Sequence, residues 1–151
     1  MTVQHKHLIA RVELTDFFLV DEAKDFKKWQ IDLIKKMDMK IMSGPHQVYV
    51  NREGLEGWCG ATLIETSSTT YHVWDKKNPI LLQLDVFTCG DLDPTIVFEF
   101  LLKFAPKKID YAIYDREHRL DIIEEGLLIG LEEIILFIDR KRNGNNSKVQ
   151  S

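Results

Sequence analysis

Residues 63–74 read LIETSSTTYHVW, and residues 85–91 read DVFTCGD. Both segments are rich in β-branched and aromatic residues, which favour strands in a half-buried sheet. The first segment also carries a run of hydroxyl side chains that can bond their own backbone. We therefore predict one or two strands here, with a break in the strand pairing between Thr66 and Thr70. Together the two segments place hydroxyls, an imidazole and a thiol at the centre of the predicted sheet.

The spacing of Ser67 and His72 limits how these two side chains can meet. On an unbroken strand they would point to opposite faces of the sheet, because side chains alternate with a period of two. We therefore expect a bulge or a bend that brings the hydroxyl and the imidazole together.

The hydrophobic periodicity of the remaining sequence predicts further strands and helices on both sides of these two segments. Apolar residues at helical spacing predict amphipathic helices over residues 21–37 and from the Asp93–Pro94 pair to about residue 104. Alternating or continuous apolar residues predict further strands at residues 8–14, 39–42, 47–51, 81–89 and 109–114. Runs of strands with two helices predict an α+β fold, a two-layer sandwich in which an antiparallel sheet carries helices on one face.

A third helical pattern covers residues 120–140, where apolar residues alternate with glutamates. We predict an extra C-terminal helix that packs against the domain or a partner subunit, since an apolar stripe is usually covered. The predicted organisation is one α+β domain over residues 1–119, a helical extension over residues 120–140, and a polar, frayed tail over residues 141–151.

Composition excludes several classes of protein. A chain of 151 residues that is 44% hydrophobic and 29% charged is typical of one soluble domain with a core. The net charge of −4 gives no basic surface for nucleic acid or an anionic membrane, and no apolar run is long enough to span a bilayer. We expect a cytoplasmic protein without nucleic-acid or membrane partners. Cys59 and Cys89 are then expected to be thiols, and their spacing matches no metal site.

The string DVFTCGD, together with a serine followed five residues later by His-x-Trp, resembles the prokaryotic-type S-adenosylmethionine decarboxylases, which are pyruvoyl-dependent enzymes. The likeness includes residues 6–9 and the Asp93–Pro94 helix start, so it covers about residues 6–115. It implies a decarboxylase that processes itself, makes its own pyruvoyl cofactor and serves spermidine biosynthesis. It also implies a small-molecule substrate and a homodimer or higher homo-oligomer.

The resemblance assigns a chemical role to each of three residues. Ser67 matches the precursor of the pyruvoyl group, which forms a Schiff base with the substrate amine. His72 matches the histidine that accepts a proton during processing. Cys89 matches the cysteine that acts as general acid on the substrate carbon.

Other positions match supporting residues of the family. Thr66 precedes the bond to be cut, and Cys59 stands at or near the second processing serine. Tyr49 and Trp74 match aromatic positions of the substrate pocket, and no metal is implied.

Two departures from the family pattern leave alternatives open. The family has Glu-Ser-His where residues 66–68 are Thr-Ser-Ser, and Pro-Glu where residues 75–76 are Asp-Lys. The alternatives are a pyruvoyl arginine or ornithine decarboxylase on the same fold, and an uncleaved homologue that regulates an active partner.

Overall fold

The computed structural model of the chain describes residues 4–16 and 21–149. Within these residues the chain forms seven strands, three α-helices and one short 3-10 turn. In chain order they are β1 (Lys6–Leu14), α1 (Glu22–Lys36), β2 (Ile41–Val50), β3 (Gly57–Ile64), β4 (Ser67–Trp74), β5 (Ile80–Thr88), α2 (Pro94–Leu101), the 3-10 turn (Leu102–Phe104), β6 (Pro106–Asp115), β7 (Asp121–Ile129) and α3 (Leu131–Val149).

The seven strands form one antiparallel sheet in the order β2-β3-β4-β5-β1-β6-β7. β4 and β5, which contain most of the two segments quoted above, lie side by side near its centre. The predicted α+β sandwich is confirmed, including the extra C-terminal helix. The Asp93–Pro94 pair begins α2 as expected, because the Asp93 carboxylate accepts a hydrogen bond from the Thr95 amide and Pro94 occupies the first turn.

The sheet has two different faces. On the helix face, alternate residues of the strands pack with apolar residues of α1, α2 and α3 in one core cluster; examples are Leu8, Leu84, Phe26, Phe98 and Ile138. The opposite face, called the open face below, has no helix against it within the described residues. The strand pairing places His72, Cys59 and Asp85 on this open face, since their neighbours in each strand point into the core.

Two tyrosine rings on the helix face lie over glycines of the neighbouring strand. Tyr71 faces Gly60, where an added Cβ would come within 2.2 Å of the ring, and Tyr111 faces Gly126, where it would come within 2.8 Å. Both glycines therefore make room for a buried ring in the core.

The C-terminal segment differs from the prediction. Residues 121–129 form β7 at the edge of the sheet instead of helix, and α3 begins only at Leu131. The prediction was wrong because a short apolar run fits both periods, and β7 is selected by its pairing with β6, where Gly126 admits the Tyr111 ring. The helix continues to Val149, so residues 141–149 are helical where a frayed tail was expected; residues 150–151 lie outside the described residues.

Two strand pieces predicted at residues 39–42 and 47–51 form a single strand, β2. In place of the expected interruption, the register of β2 against β3 shifts between Ile41 and Ser43 and again between Ser43 and His46.

None of the helices in the described part of the chain has the length and apolar character that a membrane span requires.

Candidate active site

A tight turn joins β3 to β4 just ahead of Ser67. Ile64 pairs with Ser67, so Glu65 and Thr66 alone make the turn. Thr66 has a φ of 60°, in the left-handed region that a β-branched residue rarely adopts. Strain of this kind is stored at functional sites when the surrounding structure holds it in place. The predicted break in pairing is thus present, but it lies at Glu65–Thr66, and the hydroxyl run itself is regular strand.

Two groups converge on the peptide between Thr66 and Ser67. The Cys89 thiol donates a hydrogen bond to the Thr66 carbonyl oxygen, with Sγ and O 2.9 Å apart. The Ser67 hydroxyl, in a residue only 8% exposed, donates to the Glu65 carbonyl oxygen at 3.4 Å. The Ser67 hydroxyl therefore points back toward the residues that precede it. The Cys89 thiol polarises the Thr66 carbonyl group, which is the group that a nucleophile would attack in this peptide.

His72 and Cys59 form a second reactive pair. They are cross-strand partners on the open face, and His72 Nδ1 lies 3.2 Å from Cys59 Sγ. Burial raises the pKa of the Cys59 thiol, so the thiol keeps its proton at neutral pH. Both side chains line a cavity of about 320 Å³ whose other walls include His46, Val48 and Thr70.

The structure does not bring His72 to Ser67. The expected bulge is absent, because every residue from Ser68 to Trp74 pairs in register with β5 and Ser67 pairs with Ile64. The two side chains consequently point to opposite faces, and five residues of strand hold their Cα atoms roughly 17 Å apart. The expectation was wrong because regular ladder bonding on both sides holds β4 straight.

The two predicted aromatic residues of the substrate pocket also lie apart. Trp74 is on the open face with its ring 6.3 Å from that of His72. Tyr49 is on the opposite face of β2, where its ring meets Trp58 at 5.2 Å and its hydroxyl donates to the Asp75 carboxylate at 3.0 Å. Trp74 therefore accompanies the reactive pair, and Tyr49 does not.

A further polar group on the open face was missed from the sequence. Asp85 accepts hydrogen bonds from Thr70 and, at 3.4 Å, from His7. Burial alone would raise the pKa of Asp85, but the hydrogen bonds from His7 and Thr70 hold it below its usual value. The available signal was the alternation in β5, which puts Asp85 on the same face as Cys89. His7, on β1, and Arg116, which directly follows β6 and contacts His7, are remote from Asp85 in sequence.

Comparison with known proteins gives matches of sequence and of fold. A family model described as S-adenosylmethionine decarboxylase matches residues 6–117. Proteins named S-adenosylmethionine decarboxylase proenzyme from Geobacillus sp. strain WCH70 and Anoxybacillus flavithermus are each 26% identical to this chain over 101 residues, or 67% of this chain and 77% of the relative. The crystal structure of the adenosylmethionine decarboxylase from Aquifex aeolicus VF5 is similar in fold, with a TM-score of 0.60 and 21% identity, over 83% of this chain and 98% of that chain.

Proposed function

This chain belongs to the S-adenosylmethionine decarboxylase family, and we propose that it is a self-processing, pyruvoyl-dependent S-adenosylmethionine decarboxylase that supplies spermidine biosynthesis. One observation carries the proposal. The peptide ahead of Ser67 is held in a strained turn while the Cys89 thiol donates to its carbonyl oxygen.

Self-cleavage begins at this peptide. The Ser67 oxygen attacks the Thr66 carbonyl carbon and forms a C–O bond. The C–N bond to residue 67 then breaks and the hydroxyl proton passes to the leaving nitrogen, which gives an ester and a free amine. Negative charge develops on the Thr66 oxygen during the attack, and the Cys89 thiol is already positioned to donate a hydrogen bond there. Strain at Thr66 favours the change, since the turn is relieved when the chain opens.

The ester then eliminates. Removal of the Cα proton of residue 67 breaks its Cβ–O bond and frees Thr66 as a carboxylate. Addition of water and loss of ammonia leave a pyruvoyl group at the new N-terminus. When present, that ketone supplies the electron sink that no ordinary side chain provides to a decarboxylase. Cys89 lies beside this terminus, where its thiol can return a proton to the substrate carbon.

The open face favours a homodimer in which two copies share each site. His72 of the same chain is too far from Ser67 to take its Cα proton, yet it sits exposed beside Cys59 and Trp74. The open face also exposes apolar side chains, among them Ile9, Val48, Leu63, Leu127 and Ile129 at 44–61%. Apolar area of this kind on a sheet indicates an interface. We propose that two sheets pack through their open faces, so that His72 of the partner subunit approaches Ser67.

Several properties of this chain favour the leading function over the alternatives. The family match argues for S-adenosylmethionine as the substrate instead of arginine or ornithine. The strained turn and the bond from Cys89 argue for a chain that cleaves itself rather than an uncleaved regulator. The two thiols, both free, fit the reducing environment of the cytoplasm, where we place the protein.

The proposal is tested by the mass of the purified chain. We expect two fragments divided before Ser67, the C-terminal one beginning with a pyruvoyl group, and a Ser67→Ala chain that stays whole. Ser68→Ala is the matched control and should divide normally. Cyanoborohydride reduces a Schiff base to a stable bond. With this reagent, S-adenosylmethionine should become covalently attached to the C-terminal fragment, whereas arginine and ornithine should not. A wild-type chain that stays intact would overturn the proposal.

A further inference from the structure

We infer that Asp85 is a positioning residue of the self-cleavage reaction, acting through hydrogen bonds that tie Thr70 and His7 to it across the open face. The inference rests on the proposed function, and it concerns residues to which no role was assigned above. Its basis is the arrangement of hydrogen bonds around one carboxylate.

The directions of these hydrogen bonds are fixed. The Arg116 guanidinium can only donate, and its Nη1 lies 3.1 Å from His7 Nδ1. His7 Nδ1 is therefore an acceptor without a proton, which leaves the ring proton on Nε2, facing Asp85 Oδ1 at 3.4 Å. The Thr70 hydroxyl donates to the other carboxylate oxygen. Asp85 thus accepts from two sides and stays ionised.

The network joins the strands that carry the reactive groups. Thr70 lies on β4 between Ser67 and His72, and it pairs directly with Asp85 on β5. Cys89 follows four residues after Asp85, on the same face. His7 brings in β1, and Arg116, at the end of β6, stacks over the ring of Phe87 at 4.2 Å to its centroid. The carboxylate therefore adds side-chain hydrogen bonds to the backbone pairing of β4 with β5, and through that pairing it acts on how Ser67 lies relative to Cys89.

Stability alone gives a poor account of this carboxylate. The side chains of Asp85 and His7 are only 35% and 20% exposed, so both are partly removed from water. A partly buried polar network of this kind is weak evidence for stability, because well-packed apolar residues often do as well or better. The same face is otherwise apolar at many positions. The network is therefore better explained by the precision that a reacting peptide needs, since small misplacements cost large factors in rate.

The test compares the rate of chain division in four variants with their thermal midpoints. Asp85→Asn keeps the shape of the side chain and loses its charge, and Thr70→Val removes the hydroxyl while keeping the volume. We expect each to divide about tenfold more slowly or worse than the wild type. Thr70→Ser keeps the donor and should restore the rate. Asp110→Asn changes an exposed carboxylate of β6 and should divide at the wild-type rate.

The outcomes separate a positioning role from a structural one. Slow division of Asp85→Asn and Thr70→Val, with rescue by Thr70→Ser and with melting midpoints that do not follow the rates, supports the inference. Division of Asp85→Asn and Thr70→Val at the wild-type rate overturns it while leaving the proposed function intact. If the rate of chain division falls in proportion to the melting midpoint in every variant, including Thr70→Ser, the inference is also overturned. Failure of the wild-type chain to divide would instead count against the proposed function.

Discussion

The thiol of Cys89 donates a hydrogen bond to the carbonyl oxygen of Thr66, across the gap between the end of β5 and the turn before β4. This contact links the cysteine to the peptide that we propose to be cut, in addition to the general-acid role implied by the family. One side chain can therefore serve both the formation of the cofactor and its use.

Replacement of Cys89 should separate these two roles. Cys89→Ala removes the donor and should slow chain division by about 10- to 100-fold, less than the roughly 100- to 1,000-fold lost when an amide oxyanion donor is deleted, because a thiol is a weaker donor. Cys89→Ser restores a hydroxyl donor and should divide much faster than the alanine variant. The mass of the chain measured over time gives the rates, and release of labelled CO2 from divided protein gives the turnover. If Cys89→Ala divides as fast as wild type, the bond to Thr66 has no part in cleavage.

Thr66→Gly should stabilise the intact chain and slow its division. Glycine adopts a φ of 60° without steric cost, whereas strain at a β-branched residue is on the order of 1–3 kcal/mol, partly offset by the extra freedom of glycine in the unfolded chain. In a Ser67→Ala background, which stays intact, we expect a gain of about 1 kcal/mol in the free energy of unfolding, measured by urea denaturation. Glu65→Gly, in the same turn but without a positive φ, should lose stability. Equal effects of the two glycines would show that Thr66 is not strained.

Sharing of the site between two copies predicts complementation. A Ser67→Ala chain has no hydroxyl to attack, and a His72→Ala chain lacks the proton acceptor, so neither should divide by itself. When both are co-expressed, mixed dimers combine Ser67 of one chain with His72 of the partner subunit. The His72→Ala chain should then divide while the Ser67→Ala chain stays whole, as seen by mass spectrometry with different tags. If neither chain divides in the mixture, the site is not shared between subunits and His72 acts only within its own chain.

Gly60→Ala should be among the most damaging small substitutions. An added methyl group would lie 2.2 Å from the Tyr71 ring, which is fully buried, so the core must shift at a cost of about 1–3 kcal/mol or more. Gly144→Ala is the matched control, because nothing lies within 4 Å of its Cβ and alanine favours a helix by roughly 1 kcal/mol. Denaturation midpoints should move in opposite directions. Similar midpoints for the two variants would mean that Tyr71 can move aside.

Much of this molecule could be predicted from local sequence. Most of the strand and helix order from β1 to β6 follows from hydrophobic periods and turn residues, because each element buries one face. The exceptions are β2, which was predicted as two pieces, and β3 (Gly57–Ile64), whose first residues were expected to form a loop. The pairing of the strands that carry Ser67 and Cys89 was also predictable, since these strands lie close in sequence. A break was expected between Thr66 and Thr70, but only Thr66 lies in the turn, and residues 67–70 are regular strand.

The remaining features were decided by tertiary structure. Residues 121–129 become strand because the edge of β6 accepts them and Gly126 admits Tyr111, and neither fact is visible in the segment alone. His72 stays on the face opposite Ser67 because ladder bonds on both sides of β4 hold it straight. The Asp85 network depends on His7 and Arg116, which are 109 positions apart. The sequence by itself determined which groups are available and which elements carry them, through periodicity and local bonding; only long-range strand pairing decided which of those groups meet.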